Sequence, residues 1–321
     1  LLRVSPEDMF FSVLPIHHTY ECTCGFLMPL YRGASIAICE GLKYIVKNLE
    51  EVKPTMFLCV PLIMESIYKR IWKQAKKSGM EKKLRTLLHI NRITRKIGIN
   101  LVPKKITDVF GGRMRIMICG GAAIDPAILQ GIKDLGINAL QGYGLTECAP
   151  ICALNPDKGM KDSSAGYIPP GFDLKIDNPD PETGIGEICA AGGNVMLGYY
   201  NNEEITRKVL KDGWFHTGDL GYMDKDRFVY ITGRKKNVII TKNGKNVFPE
   251  EIEYYLDRIP YVEESMVYGK DSEETGETLI YASIKTNEEE VAEVLGQDYT
   301  DKQVYDLLWQ EIDKLNEEMP Y

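Results

Sequence analysis

The segment QGYGLTEC, residues 141–148, packs three kinds of ligand chemistry into a short span. Gly142 and Gly144 bracket Tyr143, so the backbone can turn tightly and approach a ligand closely. The Tyr143 ring can stack on a base, because every base has a π-face. Thr146 offers a hydroxyl to a phosphate, and Glu147 a hard oxygen for Mg²⁺. By residue type alone, the same segment also reads as a plain strand-to-loop turn. Upstream, Gly120–Gly121–Ala122–Ala123 follows an apolar run and precedes a helix signal at Asp125–Pro126. Small residues there let a flat ligand lie against the backbone, and a helix N-terminus favours anions. An ordinary α/β turn would look the same.

Further along, DGWFHTGDL (212–220) carries Asp219, whose two carboxylate oxygens can accept hydrogen bonds from vicinal hydroxyls. Capping a turn is the alternative. His216 beside Trp214 and Phe215 reads as a structural histidine. Arg234 supplies a fixed cation with a rigid fork of donors, suited to a ribose or phosphate, or to the surface. His17, His18, Cys22 and Cys24 match none of the usual structural zinc spacings. The Lys and Arg residues from Lys69 to Lys105 suit anionic lipid, CoA phosphates or a solvated helix face.

These residues need a scaffold. The 321 residues are enough for about two domains with their own cores. The net charge of −7 argues against a generic nucleic-acid binder. No apolar run reaches the roughly 18 residues of a membrane helix, and the first residues do not resemble a secretory signal. Eight Cys without CxxC pairs or regular spacing point to free buried thiols in a reducing cytoplasm. Cytoplasmic residence is therefore the expectation.

Strand and helix signals alternate through the first part of the chain. Strands are predicted within Phe10–Ile16, Ser35–Cys39, Thr55–Val60 and Met114–Cys119. Helices are predicted over Cys22–Tyr31, Leu42–Glu50, a long stretch from Pro61, a basic amphipathic stretch Glu81–Ile99, and Pro126–Leu135. This is the grammar of an α/β fold with a mainly parallel sheet, over residues 1–164. Short strands separated by Gly, Asn, Asp and Pro clusters make 165–235 a β-rich subdomain. A small α+β domain over 236–321 has a helix at Pro249–Leu256, strands at Val262–Tyr268 and Thr278–Ile284, and helices to the end.

Taken in order, LPIHHTYE (14–21), GGAAID (120–125), QGYGLTE (141–147), GEICAAGGNVMLGYYNNEE (186–204), DGWFHTGDLG (212–221) and GRKKNVIITKNGKNVFPEEIE (233–253) resemble the AMP-forming adenylate superfamily. Within it the chain is most similar to long-chain fatty acyl-CoA synthetases. The resemblance implies that a carboxylic acid and ATP form acyl-adenylate and pyrophosphate, and that the acyl group then passes to CoA. It implies that Tyr143 stacks on adenine, with Gly121 and Ala122 lining that pocket and Gln141, Gly142 and Gly144 shaping it. Thr146 would bind phosphate and Glu147 would bind Mg²⁺. Asp219 and Arg234 would hold the ribose. His18 would sit at the acyl pocket, Lys236 at a hinge between half-reactions, and Gly244 beside the path of the CoA thiol. A lipid substrate would bring peripheral contact with a membrane.

Two family segments have no counterpart here: a Ser/Thr/Gly-rich phosphate loop and a PxTxxGK lysine segment. The chain is therefore expected to be an interior part of a synthetase, inactive alone. Alternatives are transfer to a carrier-protein phosphopantetheine, or a fragment that only binds adenylate. A dinucleotide-binding Rossmann unit fits poorly, since GGAA lacks the G-x-G-x-x-G spacing.

Overall fold

The computed structural model describes residues 2–240, 246–272 and 278–316, with Lys104 and Lys105 described by their backbone alone. The chain falls into two compact units. The first holds residues 2–177, Cys189–Thr217 and Met223–Tyr230, and the second Asn178–Ile188, Gly218–Tyr222 and residues 231–316.

In the first unit the strands are β1 (Met9–Ser12), β2 (Ser35–Ile38), β3 (Met56–Cys59), β4 (Ile116–Cys119), β5 (Asn138–Gly144), β6 (Ile151–Leu154) and β7 (Gly166–Tyr167). They lie in the order β2-β1-β3-β4-β5-β6-β7. Pairing is parallel from β2 to β5. It turns antiparallel from β5 to β6 and from β6 to β7. The parallel strands are apolar on both faces, as strands covered on both sides must be. Phe11, Phe57 and Met117 point into one core with Leu49, Met64, Leu129 and Ile132. Their neighbours Phe10, Met56, Leu58, Ile116 and Ile118 point into another with Leu140. Truncating a side chain such as Phe57 to Ala would cost about 3–5 kcal/mol.

Polar anchors fix the start of these strands. Buried Asp8 accepts from the Thr55 hydroxyl at 2.8 Å and from Arg115 at 3.0 Å, tying β1, β3 and β4 together. Pro61 opens the helix Pro61–Lys77, where a missing backbone donor is harmless. Asp125 caps the helix Pro126–Asp134 by accepting from the Ala127 N–H at 2.7 Å.

The first unit departs from the sequence expectation in its helices. The region expected as a helix over Cys22–Tyr31 starts at Tyr20, runs as a π-helix to Leu27 and continues as an α-helix over Met28–Arg32. Its wide turn holds the buried Glu21 carboxyl over Gly25, where a Cβ would come within 2.5 Å of Glu21 Oε1. The stretch expected over Glu81–Ile99 is α-helical over Glu81–Thr94. It tightens to a single 3-10 turn, Arg95–Ile97, and ends at Gly98 with φ +82°. That left-handed conformation suits glycine and closes the helix. The Leu42–Glu50 expectation becomes a 3-10 turn, Leu42–Tyr44, followed by an α-helix, Ile45–Val52.

The strands β8 (Phe172–Asp177), β9 (Gly186–Gly192), β10 (Leu210–Lys211), β11 (Trp214–Met223) and β12 (Phe228–Arg234) supply residues to one or both units. In the first unit, His216 Nδ1 of β11 lies 3.4 Å from Cys189 Sγ of β9. None of the eight cysteines is in a disulfide, and six of them are buried.

The second unit contains the antiparallel pair Ile239–Ile240 and Asn246–Val247, the helix Pro249–Leu256, and the antiparallel pair Val262–Asp271 and Thr278–Thr286. The helices Glu288–Leu295 and Asp301–Asn316 follow. Its core gathers Ile239, Val247, Leu256, Ile259, Val262 and Val267. Among the described residues, no helix is long and apolar enough to cross a membrane.

Candidate active site

β5 is the pivot of the candidate site in the first unit. It runs parallel to β4, with Cys119 opposite Gln141, and antiparallel to β6, with Tyr143 opposite Ala153. In open α/β sheets, ligands bind beyond the carboxyl ends of the strands, where the topology switches. The carboxyl ends of β4 and β5 carry Gly121–Ala122 and Tyr143–Glu147 respectively. The two are linked directly, since the Ile124 N–H donates to Gln141 Oε1 at 3.3 Å. Gly121 and Ala122 are exposed, Gln141, Gly142 and Tyr143 half-buried, and Gly144 exposed.

Gly144 is required where it stands. A Cβ there would lie 2.2 Å from the Pro150 carbonyl oxygen, because β5 and β6 approach closely as the chain turns back. The turn itself is a short 3-10 segment, Thr146–Cys148, ending at Ala149 with φ +53°. Thr146 faces solvent, and Glu147 is half-buried.

Glu147 is held from outside its own segment. Tyr199 donates its phenol to Glu147 Oε1 at 2.8 Å, and the Met196 N–H donates to the Glu147 carbonyl at 2.7 Å. Asn194 donates to the Cys148 carbonyl at 2.7 Å. Burial, and then the hydrogen bond to Glu147, push the Tyr199 phenol up to about 12, so it remains a donor at neutral pH. A carboxylate that takes one phenol on Oε1 retains a second oxygen, and a hard oxygen donor beside a hydroxyl suits Mg²⁺. Neither Tyr199 nor Asn194 stands out in the sequence. The one signal was that both lie in GEICAAGGNVMLGYYNNEE, which carried the family resemblance but no assigned role.

His18 is exposed in the turn after β1, and its Nδ1 accepts from the Tyr20 N–H at 3.1 Å. Three residues on, Glu21 is fully buried. Burial raises its carboxyl above the ordinary value, and the Ser12 and Leu14 contacts offset this only in part.

In the second unit, Asp219 is 3 % exposed and pairs with Arg234, Oδ1 to Nε, at 2.9 Å. The Arg234 side chain remains about half exposed. Lys236 is exposed in a turn closed by the Asn237 N–H on the Arg234 carbonyl at 2.9 Å. Just before it, Lys235 pairs with Glu187 at 2.9 Å, and Glu187 also accepts from the Gly218 N–H at 3.1 Å. Gly244 lies outside the described residues. Each unit thus assembles its own share of the expected residues: Gly121, Ala122, Gln141–Gly144, Thr146 and Glu147 in one, Asp219, Arg234 and Lys236 in the other.

Comparison with known proteins places these features. Residues 2–200 match the family described as AMP-binding enzyme, and residues 236–321 match its C-terminal domain. Fatty acyl-CoA synthetase B of Dictyostelium discoideum is 31% identical over 334 residues, covering 95% of this chain and 48% of that protein. Long chain acyl-CoA synthetase 4 of Arabidopsis thaliana is 30% identical over 292 residues, covering 83% of this chain and 43% of that protein. The chain therefore spans about half the length of the curated relatives it matches. Among solved structures, the ATP-bound RpMatB-BxBclM chimera B1 is 26% identical with a TM-score of 0.71, covering 97% of this chain and 54% of the chimera. The fold is also that of O-succinylbenzoate CoA synthetase of Bacillus subtilis, at 23% identity and a TM-score of 0.69, covering 88% of this chain and 52% of that one. With a family match across more than half its length, the chain belongs to the AMP-binding enzymes.

Proposed function

We propose that the whole protein activates a fatty acid with ATP and transfers the acyl group to CoA, as an AMP-forming acid–thiol ligase. The observation that carries this reading is the Thr146–Glu147 turn at the end of β5, with Glu147 pinned by Tyr199. The names of the relatives, which are fatty and long-chain acyl-CoA synthetases, support the acid; the ATP-bound chimera supports the nucleotide.

In the first half-reaction, a carboxylate oxygen of the fatty acid attacks the α-phosphorus of ATP. The bond to pyrophosphate breaks, leaving acyl-AMP. Tyr143 offers its ring to adenine, with Gly121 and Ala122 leaving room for the base. Thr146 donates to a phosphate oxygen. Asp219 and Arg234 take the ribose hydroxyls, a carboxylate and a fork suited to vicinal donors and acceptors. Glu147 holds Mg²⁺, which when bound neutralises charge developing on the phosphates. In the second half-reaction, the CoA thiolate attacks the acyl carbonyl and AMP leaves. His18 lies at the acyl side, and Lys236 acts as the hinge between the two half-reactions.

ATP–pyrophosphate exchange by the whole protein, screened over fatty acids of different lengths, tests the first step. Acyl-CoA formation from preformed acyl-AMP tests the second. Exchange that needs a fatty acid is expected. No exchange with any acid overturns the reading, and exchange without transfer to CoA points to another acyl acceptor.

A further inference from the structure

Between Lys69 and Lys105 the sequence holds thirteen Lys and Arg residues and a single acid, Glu81, in a chain whose net charge is −7. The structure folds this segment as the helices Pro61–Lys77 and Glu81–Thr94, joined by a short turn. Their inner faces are accounted for. Met64, Ile67 and Ala75 of the first helix and Leu84, Leu88 and Asn91 of the second are buried. Arg92 pairs with Asp134, and Arg95 donates to the Lys133 carbonyl.

The outer face carries two further features. Lys69, Arg70, Lys73, Lys76, Lys77, Lys82, Lys83 and Arg85 are all exposed. Of these, Arg70, Lys73 and Lys77 line a depression of about 470 Å³ with Gln74 and Ser78, where a phosphate-bearing group finds both charge and neutral donors. Beside the charges runs an apolar row. Ile90, Ile93 and Ile97 recur three and four residues apart, so they share one side of the helix and the 3-10 turn that continues it. They are 44%, 58% and 75% exposed, and Ile99 and Leu101 beyond them are 47% and 44% exposed.

We propose that this helical hairpin docks on a bilayer containing anionic phospholipid. Clustered Lys and Arg are drawn to the negative surface potential of such a bilayer. A row of exposed isoleucines gains nothing from solvent, but gains by entering the boundary between headgroups and acyl chains. A nucleic acid would satisfy the charges and leave the isoleucines in water. It would also lack a stacking platform, since Trp72 is half-buried with the Arg85 guanidinium over its ring at 5.2 Å. The docking rests on this face alone and stands or falls separately from the ligase reading.

The test is sedimentation of the full chain with vesicles of phosphatidylcholine alone, or with phosphatidylserine added, over a range of salt. Binding to the mixed vesicles, at least tenfold weaker to phosphatidylcholine alone and falling as salt rises, is expected. Replacing Lys73, Lys77 and Lys83 together by Glu should weaken partitioning by on the order of 100-fold. Replacing Ile93 and Ile97 together by Ser should weaken it by roughly tenfold even at low salt. All five side chains are exposed, so the melting temperature should hold. If the charge variant unfolds, the isoleucine variant and the salt titration decide. Equal binding to both vesicle types, or unaltered binding by the variants, overturns the proposal. So does binding of an RNA oligonucleotide at physiological salt without any vesicle binding.

Discussion

Tyr199 donates its phenol to Glu147 Oε1 over 2.8 Å, although the two residues are 52 positions apart. The Met196 N–H on the Glu147 carbonyl adds a second tether from the same segment. The carboxylate is therefore positioned from both its side chain and its backbone, before any ligand arrives. Preorganised groups of this kind cost nothing to reorient during reaction.

Glu147→Gln in the whole protein should lower ATP–pyrophosphate exchange by on the order of 10²-fold or more, since the proposed metal donor would be lost where charge develops. Tyr199→Phe leaves the carboxylate but removes its tether. A smaller loss, about tenfold, is expected, relieved in part by raising Mg²⁺. Titrating Mg²⁺ in both variants separates them. Near-normal exchange by Glu147→Gln would assign the metal to another residue.

Arg234→Lys keeps the charge but loses the fork that meets Asp219 at 2.9 Å. AMP affinity, read by calorimetry, should fall by roughly tenfold, because a point charge does not reproduce a planar donor pair. Adenine, which lacks the ribose, should bind both forms alike. A matching loss for adenine would separate Arg234 from the sugar.

Glu21 gives a pH signature. Burial raises its carboxyl, so the folded state keeps a proton that the unfolded chain releases near about pH 4.3. Its contribution is complete below that pH and is lost as pH rises through the folded value. Glu21→Gln should therefore melt above the wild type at pH 7, by about 2–4 °C, and match it near pH 4. Melting curves at the two pH values decide. A constant difference, or a less stable variant at pH 7, would mean that the ionised carboxylate is welcome there.

Lys236→Pro fixes φ near −65° in the turn between Arg234 and Asn237. On the hinge role proposed above, the variant should tolerate one half-reaction and fail in the other. Acyl transfer to CoA is expected to slow by tenfold or more relative to acyl-AMP formation, in single-turnover measurements. Equal slowing of both steps would make Lys236 an ordinary surface residue.

Much of this was legible in the sequence where the signal is local. Pro249 starts the helix that ends at Leu256, because proline fits the first turn and the apolar spacing carries on from it. Asp125–Pro126 marked a capped helix for the same kind of reason. The motif at 141–147 could be read as a close-approach turn because Gly144 has no room for a Cβ. What escaped was long-range or cooperative. The Glu147–Tyr199 bond joins distant segments, and a tyrosine in a Gly- and Asn-rich stretch carries no periodic mark. The π-helical turn over Tyr20–Leu27 follows from how Glu21 fits over Gly25, which spacing does not encode. The end of the Glu81 helix was hidden by apolar residues that continue past Thr94 but face solvent rather than core.

The strand pairings of the sheet also differ in how far apart along the chain the partners lie. Gly144 meets Ile151 across residues 145–150, whereas β3 meets β4 only after the excursion through residues 60–115. Loop closure over a few residues takes tens of nanoseconds, while distant parallel pairings form late. The turn that presents Thr146 and Glu147 thus belongs to a local part of the sheet, able to form early and without the distant parallel pairings. Lengthening the connection within 60–115 should slow assembly of the core strands while leaving the shape of that turn intact once folding is complete.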